Sequence, residues 1–98
     1  MTDQELLDLS AKAAGYKCAK NGGYIVVDGI PGNWNPLSDD GDALRLAIDL
    51  ELDVSLGKNG AVVEFGRLQI EELDASDPYA AVRRAIVRAA AEIGRNMK

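Results

Sequence analysis

NWNPLSDDGDALRLAIDL, residues 33–50, carries the only tryptophan of the chain in a loop and then runs through a cluster of acids into an amphipathic helix. Proline fixes φ and removes a donor, so Pro31 and Pro36, with the glycines and asparagines around them, predict a shaped loop over 28–37. Pro31-Gly32 suits a type II turn. Ser38 to Asp42 reads as a helix start, because carboxylates in a first turn are favoured by the free N–H groups and the helix dipole. Leu44, Ala47 and Ile48 predict the inner face of that helix, with Leu46 and Leu50 on its flank, and Arg45 is spaced to pair with Asp49 outside.

Upstream, Thr2 and Glu5 have the spacing of a capping box. Leu6, Leu9 and Ala13 follow at helical intervals, with Leu7 and Ala14 widening the stripe, and Gly15 supplies a left-handed stop, so residues 3–14 are expected to be helical. Asn21-Gly22 between YKCAK and YIVV is a hairpin signal, placing strands near 16–20 and 24–28. Tyr24 to Val27 is apolar on both sides, which asks for cover on both sheet faces.

Downstream, residues 51–57 alternate, Asn59-Gly60 signals a second hairpin, and AVVEF returns as a strand. RLQIEEL, residues 67–73, alternates as an added edge strand would. Asp77 and Pro78 open a last helix reaching about Asn96, since proline is preferred at the first helical position. Tyr79, Val82, Ile86, Ala89, Ile93 and Met97 form its apolar stripe. These elements predict one α+β domain over residues 1–98, in the order α-β-β-α-β-β-(β)-α. They fit a mostly antiparallel sheet of four or five strands and three helices in a three-layer α/β/α sandwich. The alternative is a two-layer sheet with all helices on one face.

The chain of 98 residues has 47% hydrophobic and 28% charged residues, an ordinary globular balance. No apolar run approaches the roughly 20 residues that span a bilayer, and the acidic start does not look like a secretory signal, so a cytoplasmic protein is expected. A virus-encoded chain would work in the host bacterial cytosol. The single Cys18 excludes an intramolecular disulfide and reads as a small hydrophobe in a strand. The absence of histidine removes the usual base for a thiol or serine nucleophile and the common zinc sites, so no catalytic residues and no cofactor are assigned, and no enzyme is expected.

Charge is unevenly spread. Residues 1–77 carry six Lys/Arg against fifteen Asp/Glu, a net of −9, whereas residues 78–98 carry five against one, a net of +4. The acidic body argues against nucleic acid as a partner, because phosphate neutralisation supplies much of that affinity. Membrane binding has no support either, which leaves a protein partner or self-association.

Candidate binding residues follow from side-chain chemistry. Trp34, flanked by Asn33 and Asn35, brings large contact area at low entropy cost, though it is equally able to fold back onto the sheet with Leu37. Arg84, Arg88 and Arg95 line one outer face of the last helix, beside Arg83, where guanidinium forks suit a phosphate or acidic partner; a solvated helix face is the plain alternative. Asp39, Asp40 and Asp42 could hold a divalent cation, but they miss the calcium-loop pattern, and helix capping explains them. Asp53 and Glu64 are placed to face each other across the second hairpin, with Ser55 nearby.

Residues 34–47, WNPLSDDGDALRLA, and 77–86, DPYAAVRRAI, resemble small tailed-phage and prophage proteins of the phage ABA sandwich domain group. The resemblance implies the sandwich fold and a viral accessory role, and brings no catalytic residues. The expected function is therefore non-enzymatic binding of a host or phage macromolecule. A structural protein acting as a homo-oligomer and a small-ligand or nucleotide binder are the alternatives.

Overall fold

A computed structural model describes residues 1–18, 24–27, 30–32 and 34–97. The elements are α1 (Asp3–Ala14), β1 (Lys17–Cys18), β2 (Tyr24–Val27), β3 (Ile30–Gly32), α2 (Asp40–Asp49), β4 (Asp53–Gly57), β5 (Gly60–Phe65), β6 (Leu68–Leu73) and α3 (Pro78–Arg95). The Asn21-Gly22 turn expected between the first two strands lies outside the described residues.

The helix ends form as local chemistry dictates. Thr2 Oγ1 accepts from the Glu5 N–H and the Glu5 carboxylate accepts from the Thr2 N–H, both at 3.1 Å, so the capping box is complete. This hydrogen bonding also holds the Glu5 carboxyl below its ordinary pKa. Asp39 caps α2 through the Asp42 N–H at 2.8 Å, and Asp77 caps α3 through Ala80 at 3.1 Å with Pro78 behind it.

The single sheet of four or five strands in a three-layer sandwich does not form. The strands make two separate antiparallel sheets, ordered β1-β2-β3 and β4-β5-β6. Two observations account for the difference. Pro31 and Gly32 are not a turn but lie in β3, paired with β2, and proline is tolerated there because β3 is an edge. The second sheet is covered on one face only. Ala61, Val63 and Ile70 are buried against α3, while Asp53, Glu64, Gln69 and Glu71 stand exposed on the opposite face. Burying that row under a helix layer would strand several charges without partners.

α3 runs through the centre of the molecule. It packs on α1, α2, β5 and β6, and Ala81, Ala85, Ile86, Val87, Ala89, Ala90, Ala91 and Gly94 are all buried. Its inward residues are mostly small, which lets neighbouring backbones approach closely. The expected stripe is only half the buried surface: Ile86 and Ala89 are in the core, but Tyr79 is 70% exposed and Met97 43%. β5 follows the same logic at Gly60, where a Cβ would fall 2.0 Å from the Glu72 carbonyl oxygen of β6. Among the described residues no helix is long and apolar enough to cross a membrane.

Candidate functional site

The residues singled out by sequence are dispersed. Trp34 is buried, 7% exposed, and its ring meets Tyr16 and Tyr24 edge-on, each at 5.1 Å between centroids. Tyr24 donates to Asp8 of α1, and Tyr16 donates to Asp49 of α2 at 3.0 Å, so this aromatic trio ties the first sheet to two helices. Burial, then the Asp49 hydrogen bond and charge, pushes the Tyr16 phenol up to about 12. Asn35 shapes the turn into α2: its side chain accepts from the Leu37 N–H, its carbonyl accepts from Asp39, and its own N–H donates to Asp42. Asn33 lies outside the described residues.

The three aspartates are engaged one by one. Asp39 caps the helix, Asp40 accepts from Arg83 at 2.6 Å, and Asp42 takes the Asn35 N–H and Arg45. Arg45 pairs backward with Asp42 at 2.7 Å rather than forward with Asp49, because helical side chains lean toward the N-terminus. Among the described residues, no three acidic or sulfur side chains gather as a metal-holding group.

The arginines are likewise partnered. Arg84 reaches Asp3 at 3.2 Å and Glu72 at 3.9 Å, Arg88 bonds to Glu72, and Arg95 pairs with Glu92 at 2.8 Å. Arg84 and Arg88, but not Arg95, line a recess of about 310 Å³ with Met1, Leu6, Ile70, Glu72 and Glu92. Its charges largely cancel within the chain, leaving little unbalanced positive field for an anion.

A different region gathers unsatisfied surface. An open groove of about 500 Å³ lies between α2 and β4, floored by α3. Ala43, Leu44 and Ala47 line it from α2, Val54 and Leu56 from β4, and Tyr79, Val82 and Ile86 from α3. Leu44 is 60% exposed, Leu56 73% and Tyr79 70%. Ile48, one turn beyond Leu44 on the same face of α2, is 63% exposed. The polar contribution is the Arg83–Asp40 pair, whose guanidinium also donates to the Leu37 carbonyl at 2.9 Å.

The groove arises from a displaced helix face. α2 buries Ala43, Leu46 and Ala47, not the expected set of Leu44, Ala47 and Ile48. Leu44 and Ile48 are therefore left exposed, Leu44 on the groove that it lines with Val54 and Leu56 of β4. Scattered exposed leucines are ordinary, but three large exposed apolar side chains around one concavity are the pattern of a contact surface.

The chain matches no protein-family model, no curated protein and no solved structure. The likeness to phage proteins thus rests only on the residues that carry it, and the site has to be read from this chain's own geometry. Sequence reasoning passed over Leu44, Ile48, Leu56 and Tyr79 because each continues an amphipathic pattern. The available signal was an excess: α2 carries more apolar positions than one buried stripe can use.

Proposed function

We propose that this chain is a non-enzymatic, cytosolic binding domain that seats a macromolecular partner on the groove between α2 and β4. The observation that carries this reading is the gathering of Leu44, Leu56 and Tyr79, all more than half exposed, around one apolar concavity. Interface cores are depleted in charge and rich in aliphatic and aromatic anchors, and the groove has that composition. Its one ion pair, Arg83–Asp40, is satisfied internally and so can be covered without leaving a bare charge. A binding role of this kind accords with the accessory function that the sequence resemblance implies.

The test is site-specific photocrosslinking in cells. A photoreactive phenylalanine analogue is placed at Leu56, at Tyr79, or at Glu71 on the bare face of the second sheet. Discrete polypeptide adducts at Leu56 and Tyr79, absent at Glu71, are expected. Equal labelling at all three positions, or none at the groove positions, sinks the proposal.

A further inference from the structure

The open side of β4 specifies an occupant. Lys58 and Asn59 alone separate Gly57 from its cross-strand mate Gly60, so this pair closes the turn. Opposed residues in an antiparallel ladder alternate between hydrogen-bonded and non-hydrogen-bonded pairs. Counting from Gly57, the bonded pairs are Ser55 with Val62 and Asp53 with Glu64. The backbone N–H and C=O groups of Val54 and Leu56 therefore point away from β5, toward the groove side, where no strand meets them among the described residues.

The two edges of this sheet are treated differently. β6 carries Glu72 on the helix-facing side, bound to Arg84 and Arg88, an inward charge of the kind that discourages strand addition. β4 has no proline and no charge between Asp53 and Lys58, and its register with β5 is regular over all five pairs. An unguarded, regular edge above an apolar groove is a template for another strand.

We propose that the strand seated there is β4 of a second copy of this chain, paired antiparallel about a two-fold axis through Ser55. The proposal rests on the groove being the contact face. In this register Val54 of each copy faces Leu56 of the other, and both residues already direct their backbone groups outward, so the ladder closes with donors opposite acceptors. A two-fold axis normal to the sheet keeps Val54 and Leu56 of both copies on the groove side. A strand added roughly 4.8 Å from β4 lies above the groove, placing these side chains toward the exposed Leu44 of α2. The ends match in charge: Lys58 of one copy falls beside Glu51 and Asp53 of the other, twice by symmetry, and the neutral Ser55 alone meets its own mate. The result is one six-stranded sheet with both α2 helices beneath the join.

Sedimentation equilibrium of the full chain over a wide concentration range tests this. The wild type is expected to dimerise. Leu56→Glu puts a charge into the join, and Leu56→Pro removes an outward N–H without touching the β4–β5 ladder; each should weaken dimerisation at least tenfold, with circular dichroism unchanged. Lys58→Glu should also weaken it, and Asp53→Lys combined with Lys58→Glu should restore it. A monomer at every concentration, or a dimer indifferent to both Leu56 variants and to the charge pair, overturns the inference. Photocrosslinks from Leu56 separate this from the broader reading. Adducts of doubled mass are expected; adducts only to a foreign polypeptide overturn self-pairing while leaving the groove as the contact face.

Discussion

Gly94 of α3 sits so close to Leu9 of α1 that a Cβ built on it would lie 1.9 Å from the Leu9 carbonyl oxygen. The helices touch backbone to backbone, and the clash cannot be relieved by rotating a side chain. Replacing glycine by alanine within a helix normally stabilises by about 1 kcal/mol through propensity. Here the sign should reverse: Gly94→Ala is expected to lose about 3 kcal/mol, as overpacking of a rigid contact does. Urea unfolding of the two proteins decides it, and an unchanged or raised midpoint would refute the close approach.

Among the described residues Trp34 meets the first sheet through ring contacts, and its buried indole N–H has no hydrogen-bond partner there. Truncation to alanine should remove both edge-on contacts and leave a cavity, costing about 3–5 kcal/mol. Trp34→Phe keeps an aromatic ring and forfeits no hydrogen bond to the described residues, so its cost should stay under about 2 kcal/mol. The native indole should emit well to the blue of free tryptophan and resist acrylamide quenching. Free access of quencher to the folded protein would contradict its burial.

Local chemistry was legible and non-local packing was not. Thr2 with Glu5, Asp77 with Pro78, and the opposition of Asp53 to Glu64 are set by residues a few positions apart or by a tight hairpin, and sequence spacing was enough to find them. The strand character of Pro31 was hidden because proline at an edge looks like a turn until its partner strand is known. The buried faces of α2 and α3 were misjudged for one shared reason. Alanine carries little hydrophobic weight in a periodicity, so Ala47 and Ala89 were placed inward but Ala43, Ala81, Ala85, Ala90 and Ala91, equally buried and equally needed for close packing, were not. Leu44, Ile48 and Tyr79 were given the core positions on size and are displaced to the surface, where Leu44 and Tyr79 line the groove.

Tyr16 should make stability pH-dependent in a defined window. Its phenol is held at about 12, above the ordinary value of 10.0, by burial and the Asp49 carboxylate. Below pH 10 the phenol is protonated in both folded and unfolded chains, and its contribution is fully present. Between pH 10 and 12 the unfolded chain releases the proton while the folded chain keeps it, so stability falls as pH rises. Tyr16→Phe loses the Asp49 hydrogen bond and should be less stable at pH 7 by about 1 kcal/mol. The gap between the two proteins should narrow above pH 10; parallel stability curves through pH 12 would exclude the linkage.

Glu51 occupies a conformation that favours glycine. α1 and α2 end in the same motif: Tyr16 N–H bonds to Ala11 and Gly15 N–H to Lys12 in the first, Leu52 N–H to Ala47 and Glu51 N–H to Ile48 in the second. Both caps require a left-handed residue. α1 uses Gly15 at φ 80°, whereas α2 uses Glu51 at φ 55°, the only described non-glycine residue with positive φ. The crowding of Cβ against the following carbonyl costs about 1–2 kcal/mol, partly offset because glycine loses more backbone entropy on folding. The Glu51 side chain is exposed and has no hydrogen-bond or ion-pair partner among the described residues, so little opposes its removal. Glu51→Gly should therefore stabilise by about 0.5–1 kcal/mol, and Glu51→Asn, which tolerates the same region, by less. Thermal unfolding at low protein concentration, where self-pairing does not contribute, measures both. A drop in Tm for the glycine variant would show that the carboxylate holds a contact outweighing the strain.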